Sequence, residues 1–193
     1  RCNGGIYIAT VDIDSDGDVD ILSNWETNLL ENNGEGGLQL YKNDGAPDPT
    51  FVSHFDNSCC GRNAGNVVAT DLDGDGDLDI LVGHYNPLSN PIHKWMRNNG
   101  DGTFEDIGSG AYSIVNLGRN VMAADFDRDG DMDIATGSPE EGQLLWIENN
   151  GEQTPTWSDR EINYDDASGS LVNALTGADL DNDGDIDIIT VRE

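Results

Sequence analysis

The sequence predicts an all-β fold made of repeated antiparallel sheets, and three observations support this prediction. An aspartate-rich motif, D-x-D-x-D-G-D-x-D, occurs in four copies that begin at Asp12, Asp71, Asp125 and Asp179. The apolar segments between the copies are short, and several end at Asn-Gly or Asp-Gly, the dipeptides that tight hairpins favour. No segment keeps a helical period of 3.6 residues over three turns. Short strands joined by hairpins are therefore expected throughout.

The spacing of the repeats predicts how many strands each one contains. The motif copies begin 59, 54 and 54 residues apart. Each full repeat offers four apolar segments: one before the motif, one directly after it, a third that ends at a turn glycine, and a fourth that closes the unit. These segments lie at 5–11, 19–25, 38–45 and 50–55 in the first repeat, 66–70, 78–85, 93–100 and 103–108 in the second, and 120–124, 132–138, 144–151 and 156–162 in the third.

Four strands in about 55 residues is the arithmetic of a β-propeller blade. The last repeat offers two segments, 171–178 and 186–191. We therefore predict one repeat domain over residues 1–193, with blades of four antiparallel strands at about 5–60, 61–114 and 115–168, and a two-strand partial blade at 169–193. Trp95 and Trp146 each precede a turn glycine by five residues, with Leu40 in the same register, which predicts packing between blades.

The charge of the chain excludes two classes of partner. With 38 Asp and Glu against 9 Lys and Arg, the formal net charge is −29. Such a field repels nucleic acid and anionic membrane surfaces. No run approaches the ~20 apolar residues that a membrane-spanning helix needs, so no membrane insertion is expected. Cations are the expected partners.

The aspartates of each motif form a candidate metal site. Like charges about 4 Å apart repel by about 1 kcal/mol in water and about 4 kcal/mol at an effective dielectric constant of 20, so clustered carboxylates require neutralisation. Oxygen ligands on a flexible loop favour Ca²⁺ over Mg²⁺. We count motif positions from the first aspartate, and we expect the seventh to use its main-chain oxygen. The candidate ligands, for about four Ca²⁺ ions, are Asp12, Asp14, Asp16, Asp18, Asp20, Asp71, Asp73, Asp75, Asp77, Asp79, Asp125, Asp127, Asp129, Asp131, Asp133, Asp179, Asp181, Asp183, Asp185 and Asp187.

An EF-hand is the obvious competitor, because its loop also begins D-x-D-x-D-G. An EF-hand requires a glutamate at position twelve and helices on both sides. The four copies have Ser23, Val82, Thr136 and Thr190 at that position, and their flanks have the character of strands. The EF-hand interpretation therefore fails in every copy.

The motif followed by Ile, together with NNGDGTFEDI at 98–107 and LLWIENNG at 144–151, resembles the FG-GAP/VCBS repeat. That repeat is the blade of calcium-bearing β-propellers such as those of integrin α-subunits. The resemblance implies one structural Ca²⁺ in each loop between the first two strands of a blade, ligated at positions one, three, five, seven and nine. It also implies a larger propeller of about seven blades. We expect the chain to be part of such a propeller, and completion by assembly with other chains is the alternative.

The expected function is that of a non-enzymatic, extracellular calcium-binding propeller that serves as an adhesion scaffold for a glycan or protein ligand. One alternative is a structural subunit that self-assembles into a filament or sheath through open blade ends. A second is a catalytic or non-catalytic part of a polysaccharide-active enzyme. Against catalysis, His54, His84 and His93 lie at different points of the repeat and have no Ser or Cys partner in a recognisable motif.

Two features stay open at the level of sequence. Cys2, Cys59 and Cys60 allow a bond between adjacent cysteines, a bond from one of them to Cys2, or free buried thiols. The segment 53–66 has no counterpart of similar composition in the other repeats, and we expect it to form a specific surface feature.

Overall fold

A computed structural model of the chain describes residues 6–25, 37–46, 51–57, 64–84, 94–107, 120–137, 144–152, 155–162 and 172–192. Every regular element in these ranges is a β-strand. The same ranges contain no helix of the length and apolarity that a membrane crossing requires.

The strands of the described residues form four antiparallel sheets, three with four strands and one with two. In each sheet the strands lie side by side in chain order. The predicted fold class, all-β with three four-stranded propeller-type blades and a two-stranded partial blade, is confirmed. The strands are, for sheet 1, β1 Ile6–Val11, β2 Asp20–Trp25, β3 Gly37–Asn43 and β4 Phe51–Asn57; for sheet 2, β5 Ala64–Thr70, β6 Asp79–His84, β7 Lys94–Asn98 and β8 Phe104–Asp106; for sheet 3, β9 Val121–Ala124, β10 Asp133–Gly137, β11 Leu144–Asn149 and β12 Trp157–Ile162; and for sheet 4, β13 Val172–Ala178 and β14 Asp187–Arg192.

The turns of each sheet follow from the local sequence. The second strand of every sheet begins at the ninth motif position, where the aspartate pairs with the last residue of the first strand, as Asp20 does with Val11. The third strands end at an asparagine two residues before a turn glycine. Those glycines have positive φ, at 66°, 71° and 68° for Gly45, Gly100 and Gly151, a backbone conformation that costs glycine little.

The sheets follow one another through their first strands. β1 contacts β5, β5 contacts β9, and β9 contacts β13. The crowding of these strands explains why they are rich in small residues: a Cβ added at Gly177 of β13 would lie 2.3 Å from the Met122 side chain of β9. The first strands are therefore the inner strands of the blades.

Two apolar layers lie between the first three sheets. The layer between sheets 1 and 2 includes Leu22, Leu40, Ile80 and Val82, all fully buried. The layer between sheets 2 and 3 is built by the following residues: Leu72, Leu81, Trp95, Val121, Ile134 and Ile147. Burial of these side chains is the main source of cohesion between blades.

The two tryptophans differ in their surroundings. Trp95 is only 5% exposed and meets Trp157 of the next sheet edge to face, with ring centroids 6.3 Å apart. The predicted packing between blades therefore holds for Trp95, and for Leu40. Trp146 is half-buried, and the aromatic and cation–π contacts described for it, with Phe126 and Arg160, lie within its own repeat.

Several predictions fall outside the described residues. These are the repeat boundaries near residues 60, 114 and 168, the three cysteines, His93, and the central part of the predicted surface feature at 58–63.

Candidate metal centres in the aspartate loops

The four aspartate loops lie at equivalent places, between the first and second strands of their sheets. Each loop turns through two residues with positive φ, at motif positions four and six. Position six is always glycine, with φ between 92° and 101°. Position four accepts other residues at φ near 60°, which are Ser15, Arg128 and Asn182, with Gly74 at φ 72° in the second loop.

The first aspartate of each loop holds the turn together. Its Oδ2 accepts a hydrogen bond from the amide of the position-six glycine, at 2.9, 2.9, 3.1 and 3.0 Å in chain order. The aspartates are Asp12, Asp71, Asp125 and Asp179. In the first three loops Oδ1 also accepts a main-chain amide, at 2.8 to 3.1 Å, so both oxygens of the first aspartate help to shape these loops.

The ninth aspartate ties each loop to its sheet. In all four loops its Oδ2 accepts a hydrogen bond from the amide at position two, at 3.0 to 3.2 Å. In the first three loops, where it is Asp20, Asp79 and Asp133, its Oδ1 also accepts the amide of an asparagine at the end of the third strand, at 2.8 Å each time. These three carboxylates are completely buried. The ninth position therefore sets the distance between loop and third strand.

A tryptophan adds a further donor in the second and third loops. The Nε1 of Trp95 donates to Asp79 Oδ2 at 2.9 Å, and the Nε1 of Trp146 donates to Asp133 Oδ2 at 3.0 Å. Burial nevertheless raises the pKa of Asp79 to about 6, against the lowering effect of its hydrogen bonds from Asn98, Trp95 and Leu72. Burial raises the pKa of Asp133 as well. Hydrogen bonds alone thus leave these buried charges under-compensated.

Each loop brings three carboxylates together. The described residues contain four such groups, one in each loop, and within each group one carboxylate oxygen from every member lies within 4.8 Å of the others. Three groups combine positions one, three and nine, and the third loop combines positions one, three and five. The groups are Asp12, Asp14 and Asp20; Asp71, Asp73 and Asp79; Asp125, Asp127 and Asp129; and Asp179, Asp181 and Asp187.

The chemistry of these groups fits a hard divalent cation. All of the donors are carboxylate oxygens, the ligand type that Ca²⁺ and Mg²⁺ prefer. The second loop gives independent support, because Asp73 Oδ1 is buried and has no hydrogen-bond partner among the described residues. A buried oxygen of this kind costs free energy unless a partner satisfies it. Burial, and then the charge of Asp75, raise the pKa of Asp73, so the carboxylate lacks a sufficient counter-charge.

The predicted ligands at positions five and seven lie differently. Outside the third loop, the position-five aspartates Asp16, Asp75 and Asp183 are not part of the close groups. In all four loops the position-five carboxylate accepts the amide of position seven, at 2.9 to 3.0 Å. The position-seven side chains of the first three loops lie against the turn glycines: a Cβ at Gly45 would meet Asp18 Oδ2 at 2.2 Å, and Asp77 and Asp131 lie likewise against Gly100 and Gly151. Their role as metal ligands stays a prediction, as does that of the main-chain oxygens.

The asparagines that end the third strands were not among the predicted site residues. The Nδ2 of Asn98 donates to the main-chain oxygen of Ile13 in the first loop at 3.2 Å, and the Nδ2 of Asn149 donates to that of Leu72 in the second loop at 2.9 Å. Each also donates to a main-chain oxygen of its own loop. The signal was present, because an asparagine precedes the turn glycine by two residues in all three repeats, but it was interpreted as turn chemistry alone.

A further contact joins the third and fourth loops. The Nη2 of Arg128 donates to the main-chain oxygen of Asp183 at 3.0 Å and pairs with Asp185 Oδ1 at 2.5 Å. The loops of consecutive sheets are thus connected to one another as well as to their own strands.

Comparison with known proteins agrees with this architecture. The sequence model of the FG-GAP-like repeat matches residues 12–82 and 90–136, which contain three of the four motif copies. Cartilage acidic protein 1 of Xenopus tropicalis is 28% identical over 179 residues, which cover 88% of this chain and 27% of that protein.

Two other relatives match shorter parts of the chain. Integrin alpha-4 of Xenopus laevis is 36% identical over 115 residues, 49% of this chain and 10% of that protein. Human cartilage acidic protein 1 is 30% identical over 117 residues, 59% of this chain and 17% of that protein. The chain therefore spans about a quarter or less of the length of these relatives. Because the family model matches more than half of the residues, and the aspartate loops and four-stranded blades agree with it, this chain belongs to the FG-GAP-like repeat family.

Proposed function

We propose that this chain is a non-enzymatic, extracellular β-propeller module that binds one Ca²⁺ in each aspartate loop and presents its surface as a scaffold for adhesion to a protein or glycan. The observation that carries the proposal is the gathering of three carboxylates in each of the four loops, with all ligand oxygens within 4.8 Å. A net charge of −29 makes a cation the natural partner of such loops.

Aspartates at positions one, three and nine would hold the ion in the first, second and fourth loops, and aspartates at positions one, three and five would hold it in the third loop. When bound, Ca²⁺ supplies the positive charge that the buried carboxylates lack. The residues of the chain supply the geometry: the glycine at position six lets the loop fold back, and the ninth aspartate joins the loop to the third strand. The remaining oxygens of a Ca²⁺ shell, which takes six to eight, are proposed to come from positions five and seven and from water.

The extracellular assignment rests on the chemistry of the loops and on the relatives. Extracellular Ca²⁺ modules work at dissociation constants of about 10⁻⁴ to 10⁻³ M, where exposed loops of this kind fill readily. The relatives carry the names integrin alpha-4 and cartilage acidic protein 1, which suit a cell-surface or matrix setting. The alignments cover small parts of those proteins, so the scaffold role is proposed for the module and not transferred from them.

Metal stoichiometry tests the calcium part of the proposal. Native mass spectrometry of the Ca²⁺-loaded protein should reveal about four bound ions, and Asp79→Ala should remove one of them. Glu152→Gln, a change at an exposed carboxylate outside the loops, is the matched control and should leave the count unchanged. Melting of the metal-stripped protein should occur well below that of the loaded protein. An unchanged melting temperature after stripping would refute structural calcium.

Retention by a ligand tests the scaffold part. The immobilised module should bind cells or a glycan array in millimolar Ca²⁺ and release them in chelator. Detectable turnover of a polysaccharide by the purified protein would contradict the non-enzymatic assignment.

Self-association is a second candidate, favoured by one specific observation. In the fourth repeat, Leu180 is 60% exposed and Ile189 is 40% exposed, whereas their equivalents in the second repeat, Leu72 and Leu81, are at most 1% exposed. An apolar face of this kind favours contact with a further blade surface, which another repeat of the same protein or a second copy of the chain could provide. Sedimentation velocity in Ca²⁺ distinguishes the two: concentration-dependent larger species support assembly, and a single monomeric species rules it out.

A further inference from the structure

The residue before the third-strand asparagine is charged in all three full repeats, but its sign changes between the second and the third. It is Lys42 in β3, Arg97 in β7 and Glu148 in β11. The main-chain amide of the asparagine that follows it donates to the ninth aspartate at 2.8 Å in all three sheets. This common anchor places the preceding residue at the same position relative to each aspartate loop.

In the first loop, the lysine lies directly on a candidate ligand. The Nζ of Lys42 is 3.0 Å from Asp14 Oδ2, and the two side chains are only 16% and 28% exposed. Asp14 belongs to the carboxylate group of this loop together with Asp12 and Asp20. A cation that enters the loop has to share Asp14 with a fixed ammonium group.

In the second loop, Arg97 lies beside the loop carboxylates but is also paired with a second acidic residue. Arg97 lines a cleft together with Asp73 and Asp75. Its Nη2 also contacts Glu105 Oε2 at 2.5 Å, on the neighbouring strand. The guanidinium therefore opposes a bound cation less completely than Lys42 does.

In the third repeat, the residue before the asparagine is acidic: it is Glu148. Glu148 directly precedes Asn149, whose main-chain amide donates to Asp133 Oδ1 at 2.8 Å, so Glu148 occupies the strand position that Lys42 and Arg97 occupy in the first two sheets. The Nε of Arg160 donates to Glu148 Oε2 at 2.6 Å and so offsets part of this charge. The residue before the asparagine is therefore the acidic member of its ion pair in sheet 3, Glu148 with Arg160, and the basic member in sheet 2, Arg97 with Glu105.

We propose that this position sets the relative Ca²⁺ affinity of the loops, so that the third loop binds most tightly, the second less tightly and the first most weakly. The proposal rests on the proposed function, because it assumes that the loops bind Ca²⁺. Its physical basis is the Coulomb interaction of a doubly charged ion with a nearby fixed charge, which changes sign between Lys42 and Glu148. The fourth loop has no third strand among the described residues and is outside the ranking.

The test is a Ca²⁺ titration resolved by site. The amides of Gly17, Gly76 and Gly130 each bond the first aspartate of their loop, so their NMR signals report the first, second and third loops separately. In the unmodified protein, we expect Gly130 to saturate at the lowest Ca²⁺ concentration and Gly17 at the highest.

Charge variants then test the cause. Lys42→Met keeps most of the apolar stem and should strengthen binding at the first loop by about tenfold, while Lys42→Arg should leave it weak. Glu148→Gln should weaken the third loop several-fold and leave Gly17 and Gly76 unaffected. Glu152→Gln, which removes an exposed charge elsewhere in the third repeat, should leave the Ca²⁺ affinity of all three loops unchanged.

The outcomes separate this inference from the proposed function. Equal saturation of all three glycine signals, with Lys42→Met binding as the unmodified protein does, would overturn the ranking while calcium binding stands. Glycine signals that do not respond to Ca²⁺, with no bound ion in the mass spectrum, would overturn both. If Lys42→Met fails to fold, the comparison of Glu148→Gln with the unmodified protein still decides the question.

Discussion

The side-chain amide of Asn98 donates a hydrogen bond to the main-chain oxygen of Ile13, 3.2 Å away and 85 residues earlier in the chain. The same asparagine gives its main-chain amide to Asp79, the ninth aspartate of its own loop. Asn149 repeats the arrangement between Leu72 and Asp133. A continuous series of hydrogen bonds therefore joins the first three aspartate loops.

The asparagine bonds between sheets should contribute measurably to stability. Asn98→Ala leaves the oxygen of Ile13 without this donor in a buried site, which should cost about 1–3 kcal/mol in the free energy of unfolding. Asn149→Ala should cost a similar amount. Asn43 donates from its side chain to Val19 of its own loop and serves as the control, with a smaller loss. Chemical denaturation measures all three, and equal losses would contradict a special role for the bonds between sheets.

The ninth aspartates should differ in how much they contribute to the unfolding free energy of the metal-stripped protein. Asp79→Ala leaves the buried donors of Leu72, Trp95 and Asn98 without an acceptor, so the metal-stripped protein should lose about 2–4 kcal/mol. Asp187 accepts the amide of Leu180 in a two-stranded sheet, and Asp187→Ala should cost less than about 1 kcal/mol. Unfolding curves recorded after metal removal test this difference. A larger loss for Asp187→Ala would refute it.

The stability of the metal-stripped protein should fall as the pH rises from about 4 to above 6. Burial raises the pKa of Asp79 from 3.8 to about 6, so the folded state binds this proton more tightly than the unfolded state. The protonated Asp79 therefore stabilises the folded state fully below pH 3.8, the pKa of the unfolded state, and this stabilisation is lost as the pH rises through about 6, the pKa of the folded state. Melting temperatures across this range provide the measurement.

Two controls isolate this pH effect. Asp79→Ala should reduce the dependence on pH, because the titrating group is gone. Saturating Ca²⁺ should reduce it too, because the cation stabilises the ionised carboxylate. A melting temperature that rises over the same interval in the stripped protein would contradict the assignment.

Arg128 should tolerate glycine better than alanine. Its φ of 63° is a conformation that a Cβ disfavours, and its guanidinium contacts Asp183 and Asp185 of the next loop. Both Arg128→Ala and Arg128→Gly lose these contacts, but only the glycine variant relieves the backbone strain. We expect Arg128→Gly to be about 1 kcal/mol more stable than Arg128→Ala. Equal unfolding free energies for the two variants would count against strain at this position.

The strands could be predicted from the sequence because their signals are local. Short apolar segments, turn glycines and the repeated motif identified all fourteen strands of the described residues to within a few positions. The carboxylates of positions one and three come together in every loop, whereas that of position five joins them in the third loop only; binding of metal by these residues stays a prediction.

The remaining features depend on distant residues and leave no local signal. Trp95 and Trp146 have equivalent sequence positions, yet among the described residues the ring contact with the next sheet is made by Trp95, to Trp157, whereas the ring of Trp146 meets Phe126 of its own repeat. The complete burial of Asp79 and Asp133 runs against the usual exposure of aspartate. It arises from the third strand and the tryptophan of the same sheet, which the motif itself does not reveal.

Hydrogen bonds between neighbouring sheets run in both directions along the chain. Asn98 and Asn149 donate from the later sheet to main-chain oxygens of the earlier loop, those of Ile13 and Leu72. Three other bonds have their donor in the earlier sheet; they join Asn66 to Val121, Asn120 to Asn173 and Arg128 to Asp183. Loss of order in one blade therefore removes polar partners from the blades on both sides. In a repeat architecture, such bonds between nearest neighbours couple the unfolding of adjacent units.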